Sequence, residues 1–498
     1  MFTACLLLCL CLSLTATASP AQRRQSPAQG LHVPLSRVPS ARYSDDPDAQ
    51  AAWARGVANR AAAKYGPVPI SGTPGTTTSG PTSSGVAAAT VSQLPLTNAN
   101  HDGSYYALLG LGTPPTPLNV LLDTGSADFW VAGTGCSNPG SGCMSLSTWN
   151  PSTSETFVNA SVNFGVGYGS GSAKGVLGWD TVELGGFEVV HQPVGVCDHV
   201  SPGLVTNPLS GLMGLGFQPL SVSGATPFWE VLVQSGDWSS PVMGFFLTRF
   251  INSSSPAILQ PGGSFTMGFV DTTLFTGAID WAGIPPGREG YWLLELTTLS
   301  VFGSSIALSA SSSDNFAVMD TGTTLLLVPP QALKEIFALV PGSAPATGAY
   351  EGYYQYPCDT NLTLSLTFAG NTRAWPISPT DLQLLRLSSS ENTCIAALFP
   401  SNLGSGAPQW VIGDTFLKNV YSVFRYDPPS VGFAQLSPAV GWQDQPEPIS
   451  GQGLEAPQAT VTAPAERLSG GERGLPRVTA YGLVLSAVVC LLAGGWLI

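Results

Sequence analysis

The sequence predicts an all-β protein of two pseudo-symmetric lobes with few short helices. Composition is the first reason: Gly (57) and Pro (42) are abundant and charged residues make up only 10%, which suits short strands broken by turns. The second is pattern. Short apolar runs alternate with Gly, Pro, Ser and Asn turns, as at Ser104–Leu111 and at 175–184, 262–269 and 422–433. The third is an internal echo. Val120-Leu-Leu-Asp123-Thr-Gly-Ser126 returns as Ala317-Val-Met-Asp320-Thr-Gly-Thr323, and Gly211-Leu-Met-Gly-Leu-Gly216 is matched by Trp410-Val-Ile-Gly-Asp414. One lobe reads as a duplicate of the other.

The 498 residues leave room for two or three domains with sizeable cores. Charge is unevenly spread. Residues 90–440 carry 8 basic against 23 acidic side chains, whereas residues 19–65 carry 7 basic against 3 acidic. A basic arm thus precedes an acidic body, and an acidic body without a basic, aromatic stripe excludes nucleic acid as a partner. Five cysteines lie in the body (Cys136, Cys143, Cys197, Cys358 and Cys394) without CxxC or Cys/His spacing. No metal site and no cofactor are expected. Disulfides formed in an oxidising compartment, with one thiol left over, fit better.

In chain order, residues 1–18 read as a signal peptide, with an apolar run at 4–14 and small residues Ala16-Thr17-Ala18. Residues 66–95, rich in Gly, Ser, Thr and Pro, read as a flexible linker. The lobes follow at 96–270 and 271–440, and a short helix is expected at 331–340 after Pro329-Pro330. Residues 441–477 offer little to bury and read as a disordered stalk. Residues 478–498 are apolar and uncharged, long enough to span a bilayer, but no basic residues follow them. Small residues at Ser469 and Gly470 and a polar spacer precede this tail, which favours a lipid-anchor (GPI) signal over a retained transmembrane helix. The expected location is therefore the cell surface, reached by secretion. Asn159, Asn252 and Asn361 stand in glycosylation triplets consistent with that route.

The twin Asp-Thr-Gly segments carry the chemistry. A carboxylate at the end of an apolar strand is costly unless hydrogen-bonded. The glycines Gly125 and Gly322 let the chain turn and bring an N–H close. Ser126 and Thr323 supply hydroxyls, and Thr124 and Thr321 can bond across the symmetry axis. Two carboxylates sharing one site do not both ionise easily, so a proton is shared over an acid range. A water between them can then be activated for attack on a peptide carbonyl. One Asp-Thr-Gly is an ordinary turn; two, each behind an apolar strand and each followed by Ser or Thr, point to a catalytic pair.

At these residues the chain resembles the pepsin-like aspartic proteases, with a linker and tail like the GPI-anchored fungal members, over roughly 100–437. The resemblance implies a bilobal fold, a zymogen and acid endopeptidase activity of a monomer on polypeptide substrates. It implies that the segment 166–175 is the flap, with Tyr168, Gly169 and Ser170 over the cleft and Tyr168 bonded to Trp130. It pairs Cys136 with Cys143 and Cys358 with Cys394, leaving Cys197 as a buried thiol. Lys64-Tyr65 resembles the end of an inhibitory pro-segment, so residues 19–65 are expected to be a basic propeptide released in acid. Ser170, in place of an acidic residue, implies a preference for large apolar residues around the cut.

The alternative is an inactive binding or inhibitor protein on the same fold, which would be expected to break one Asp-Thr-Gly or the flap. A glycosidase predicts isolated carboxylates rather than a duplicated motif. A serine hydrolase is disfavoured, because no Gly-x-Ser-x-Gly elbow with its triad is evident.

Overall fold

Each Asp-Thr-Gly lies at the end of a strand in a set of four strands, and the two sets are wired alike. In the first half, Thr116–Asp123 pairs parallel with Gly211–Gly214. That strand pairs antiparallel with Phe129–Ala132, which pairs parallel with Phe187–Val200. In the second half, Phe316–Met319 pairs parallel with Trp410–Ile412. That strand pairs antiparallel with Leu326–Val328, which pairs parallel with Leu398–Pro400. The two sequence echoes are the strands of this repeated pattern.

This computed structural model describes residues 47–63, 91–99, 102–137, 142–168, 171–249, 259–387, 392–401, 403, 407–440, 454, 457–466 and 468. Among these residues the strands form sheets of 14, 8 and 4 strands. The largest is shared by both halves. Val420–Arg425 of the second half pairs with Val242–Leu247 of the first, and Phe275–Gly283 closes that edge through Ser430–Leu436. Aromatic rings from both halves pack together beneath the site. Trp292 lies 4.3 Å from Phe217, 5.5 Å from Trp229 and 5.2 Å from Phe424 between ring centroids, and its indole N–H donates to the Leu215 carbonyl at 2.8 Å.

The helix expected at 331–340 forms at Pro330–Ala338, with Pro at its first position where no N–H is needed. A longer helix, Pro47–Ala63, was not foreseen. Its buried face is made of Ala51, Ala54, Val57 and Ala58, set in the apolar cluster of Leu325, Tyr353, Leu384 and Ile395. Alanine favours helix but gives little hydrophobic contrast, so the pattern was faint.

Two expected boundaries need correction. The linker reading of 66–95 runs too far: Ser92–Ala99 is a strand paired with Leu259–Met267, its Ser92 and Leu94 side chains buried. The reading of 441–477 as a disordered stalk does not hold for 457–466. Ala459–Thr462 adds a parallel strand to Phe187–Val200, with Val461 fully buried. Such a strand draws on backbone bonds to an existing edge and needs only a few apolar side chains, which composition does not reveal.

The disulfides Cys136–Cys143 and Cys358–Cys394 are present, and Cys197 is a buried thiol whose pKa burial pushes up. Among the described residues no helix is long and apolar enough to cross a membrane. The expectations for 1–18, Lys64, Tyr65, Gly169, Ser170, Asn252, Ser469, Gly470 and 478–498 concern positions outside the described residues.

Candidate active site

Asp123 and Asp320 are fully buried, each held by its own turn in the same way. The Gly125 N–H donates to one Asp123 oxygen at 2.9 Å, and the Ser126 hydroxyl donates to the other. The Gly322 N–H donates to one Asp320 oxygen at 2.9 Å, and the Thr323 hydroxyl donates to the other. Donors of this kind offset the desolvation that a carboxylate suffers at a strand end.

The two turns are locked to each other. The Thr124 N–H donates to the Thr321 hydroxyl at 3.1 Å, and the Thr321 N–H donates to the Thr124 hydroxyl at 3.0 Å. Each hydroxyl then donates across the axis: Thr124 to the Met319 carbonyl and Thr321 to the Leu122 carbonyl, both at 2.8 Å. The echo glycines explain themselves here. A Cβ on Gly214 would lie 2.5 Å from the Ala127 backbone, and one on Gly413 would lie 2.0 Å from the Thr323 carbonyl oxygen. Only glycine lets these strands run close behind the two turns.

The strands Val158–Tyr168 and Gly171–Leu184 form the hairpin expected as a flap, with Tyr168 opposite Gly171. The Trp130 indole N–H donates to the Tyr168 hydroxyl at 2.9 Å, as expected. Burial, then the negative charge of Asp123, pushes the Tyr168 phenol well above its ordinary range, so it stays protonated. Of the glycosylation candidates, Asn159 and Asn361 are exposed.

Two features near the site were missed. Asp128, buried five positions after Asp123, accepts from the Val222 N–H at 2.8 Å, the Ser223 N–H at 3.1 Å, the Ser223 hydroxyl at 2.7 Å and the Ser221 hydroxyl at 2.9 Å. A lone carboxylate between Ala127 and Phe129 hinted at buried donors, but these lie over ninety positions away. The second feature is an ion network. Lys418 Nζ lies 2.9 Å from Asp102 and 3.0 Å from Asp381, all buried, and Arg249 lies 2.7 Å from Asp381. It adjoins the second turn, because the Thr324 hydroxyl donates to the Gly103 carbonyl at 3.0 Å.

Like-wired β halves, meeting at paired Asp-Thr-Gly turns beneath a hairpin, define the class of bilobal aspartic endopeptidases. A family profile described as eukaryotic aspartyl protease matches residues 104–436, and the chain belongs to that family. It is similar to major aspartyl peptidase 1 of Cryptococcus neoformans var. grubii, 40% identical over 356 residues, which are 70% of this chain and 71% of that protein. It is also similar to gastricsin of Callithrix jacchus and of Homo sapiens. Each is 35% identical over 341 residues, 67% of this chain and 81% of that protein.

Proposed function

We propose that the protein is an acid endopeptidase in which Asp123 and Asp320 together activate one water. The reciprocal threonine bonds between the two turns carry this reading, because they fix both carboxylates to one frame. With one proton shared, the ionised carboxylate takes a proton from the water as it attacks the scissile carbonyl. The protonated partner donates to the carbonyl oxygen, giving a gem-diol. Its collapse breaks the C–N bond, and a proton from the pair reaches the leaving amine. Tyr168 and the hairpin that carries it close over the peptide and exclude water. Large apolar residues flank the cut, in keeping with Ser, rather than an acidic residue, at sequence position 170.

The chain is made as a zymogen, with residues 19–65 as the propeptide and Lys64 acting on the carboxylate pair. Supporting this, helix Pro47–Ala63 packs on the second lobe directly before Lys64. The Tyr353 hydroxyl donates to the Ala54 carbonyl at 2.6 Å, Gln50 donates to the Arg386 carbonyl at 3.0 Å, and Arg55 donates to the Ala349 carbonyl at 2.9 Å. Secretion, glycosylation at Asn159, Asn252 and Asn361, and a C-terminal lipid anchor complete the proposal.

The test is cleavage of a denatured protein at acid pH by the processed enzyme, with and without a pepstatin-type transition-state mimic. Wild type cleaves and the mimic stops it; Asp320→Asn is inactive. A folded, processed wild type that cuts nothing in acid overturns the reading.

A further inference from the structure

The segment after the last strand of the second lobe returns to the first lobe, and its attachment is built. Ala459–Thr462 pairs in parallel with 187–190, extended by the Gln458 N–H to the Gly186 carbonyl at 2.7 Å and the Ala463 N–H to the Val190 carbonyl at 2.9 Å. Four positions on from Thr462, the Glu466 carboxylate accepts three hydrogen bonds. They come from the Thr226 N–H at 2.8 Å, the Thr226 hydroxyl, and the Gln218 side-chain amide at 3.0 Å. Leu468 follows, buried in the apolar cluster that includes Ala225, Leu209 and Trp130.

Gln218 and Thr226 are the two ends of one loop. Its middle, Ser221 to Ser223, supplies the four donors to Asp128. Asp128 belongs to the chain segment of Asp123, and its carbonyl accepts from the Gly214 N–H at 3.0 Å. A chain of direct bonds therefore runs from the C-terminal segment to the first Asp-Thr-Gly turn. Glu466 lies thirty residues beyond the matched family region.

We propose that Glu466 is a positioning residue of the peptidase: carried on the strand at 459–462, it grips both ends of the 218–226 loop and, through Asp128, holds the Asp123 turn in register. The segment 457–466 is then a working part of the enzyme rather than a passive connection to the tail. Glu466 faces Glu230, which binds the same loop at the Gln218 N–H at 2.9 Å, so two acidic side chains clamp one stretch of backbone. A carboxylate is suited to this position because all three groups that meet it donate.

This rests on the reading of Asp123 as catalytic, so the test uses one readout that needs activity and one that does not. Full-chain Glu466→Ala and Glu466→Gln are compared with wild type, on an apolar synthetic peptide substrate, with active sites titrated by a pepstatin-type inhibitor. The alanine variant is expected to lose roughly 10-fold in kcat per titrated site with KM within about twofold, and glutamine, which keeps an acceptor, to restore most of it. Amide hydrogen exchange at Val222 and Ser223 is expected to quicken roughly 10-fold in the alanine variant, whether or not the protein is active. Thr226→Val, which removes only one donor, is expected to show the same two changes in smaller measure and serves if Glu466→Ala does not fold. Unchanged exchange at 222–223 in whichever of these variants folds overturns the inference, as does unchanged kcat per site. An inactive wild type with quickened exchange in the variant instead counts against the proposed activity alone.

Discussion

Thr124 and Thr321, 197 positions apart, each accept a hydrogen bond from the other's backbone N–H. Each also donates to a carbonyl of the opposite strand. A valine at either position keeps the shape but strands a buried N–H and a buried carbonyl. Thr321→Val is expected to cost about 2–6 kcal/mol, at about 1–3 kcal/mol per unsatisfied group. Serine should keep most of the stability. Because the two hydroxyls form one unit, Thr124→Val adds much less to Thr321→Val than it costs alone. Urea denaturation of wild type and these four variants checks this.

Lys418 is buried between Asp102 and Asp381. Lys418→Met takes the buried ammonium away from Asp102 while Arg249 still holds Asp381, and is expected to destabilise by about 3–5 kcal/mol. Adding Asp102→Asn should recover part of the loss. Thermal unfolding of the single and double variants decides it, and a single variant as stable as wild type would contradict the role assigned to the network.

Glu230 gives the protein a pH dependence of definite sign. Burial pushes its carboxyl from 4.5 up to about 7, with Glu466 adding to the shift and the Gln218 N–H and Gln234 side chain opposing it. Tyr426 also faces it. A raised carboxyl binds its proton more tightly in the folded state. Its contribution is complete below about pH 4.5 and is lost as pH rises toward about 7. Glu230→Gln should flatten that fall, so that its stability relative to wild type improves by roughly 3 kcal/mol between acid and mildly alkaline solution. Denaturation curves across this range give the measurement.

Tyr168→Phe removes the acceptor of the Trp130 indole N–H. The loss leaves a buried donor unpaired and loosens the hairpin over the cleft. A decrease of roughly 10-fold in kcat/KM is expected, corresponding to about 1.4 kcal/mol, with the acid limb of the pH profile unmoved. A shifted acid limb would show that the phenol takes part in the titration.

The sequence made the site legible because its essential signal is local and doubled. Two Asp-Thr-Gly turns, each with its hydroxyl partner and apolar strand, mark the same positions that the structure locks together through Thr124 and Thr321. What stayed hidden depends on distant partners. Asp128 finds its donors at 221–223, and Lys418 finds Asp102 across 316 positions. Neither pairing has a local signature. The strand at 459–462 was hidden for another reason: an added strand draws its stability from the edge that receives it. Composition, which read 441–477 as having little to bury, does not register that contribution.

Two segments that flank the lobes in sequence trade places. Helix Pro47–Ala63, encoded before the first lobe, lies on the second, and Ala459–Thr462, encoded after the second lobe, lies on the first. A gene divided between the lobes would therefore not yield two self-sufficient halves. Each product would carry a segment meant for the other and lack the one that covers its own surface, so complementation would need both fragments to fold around each other.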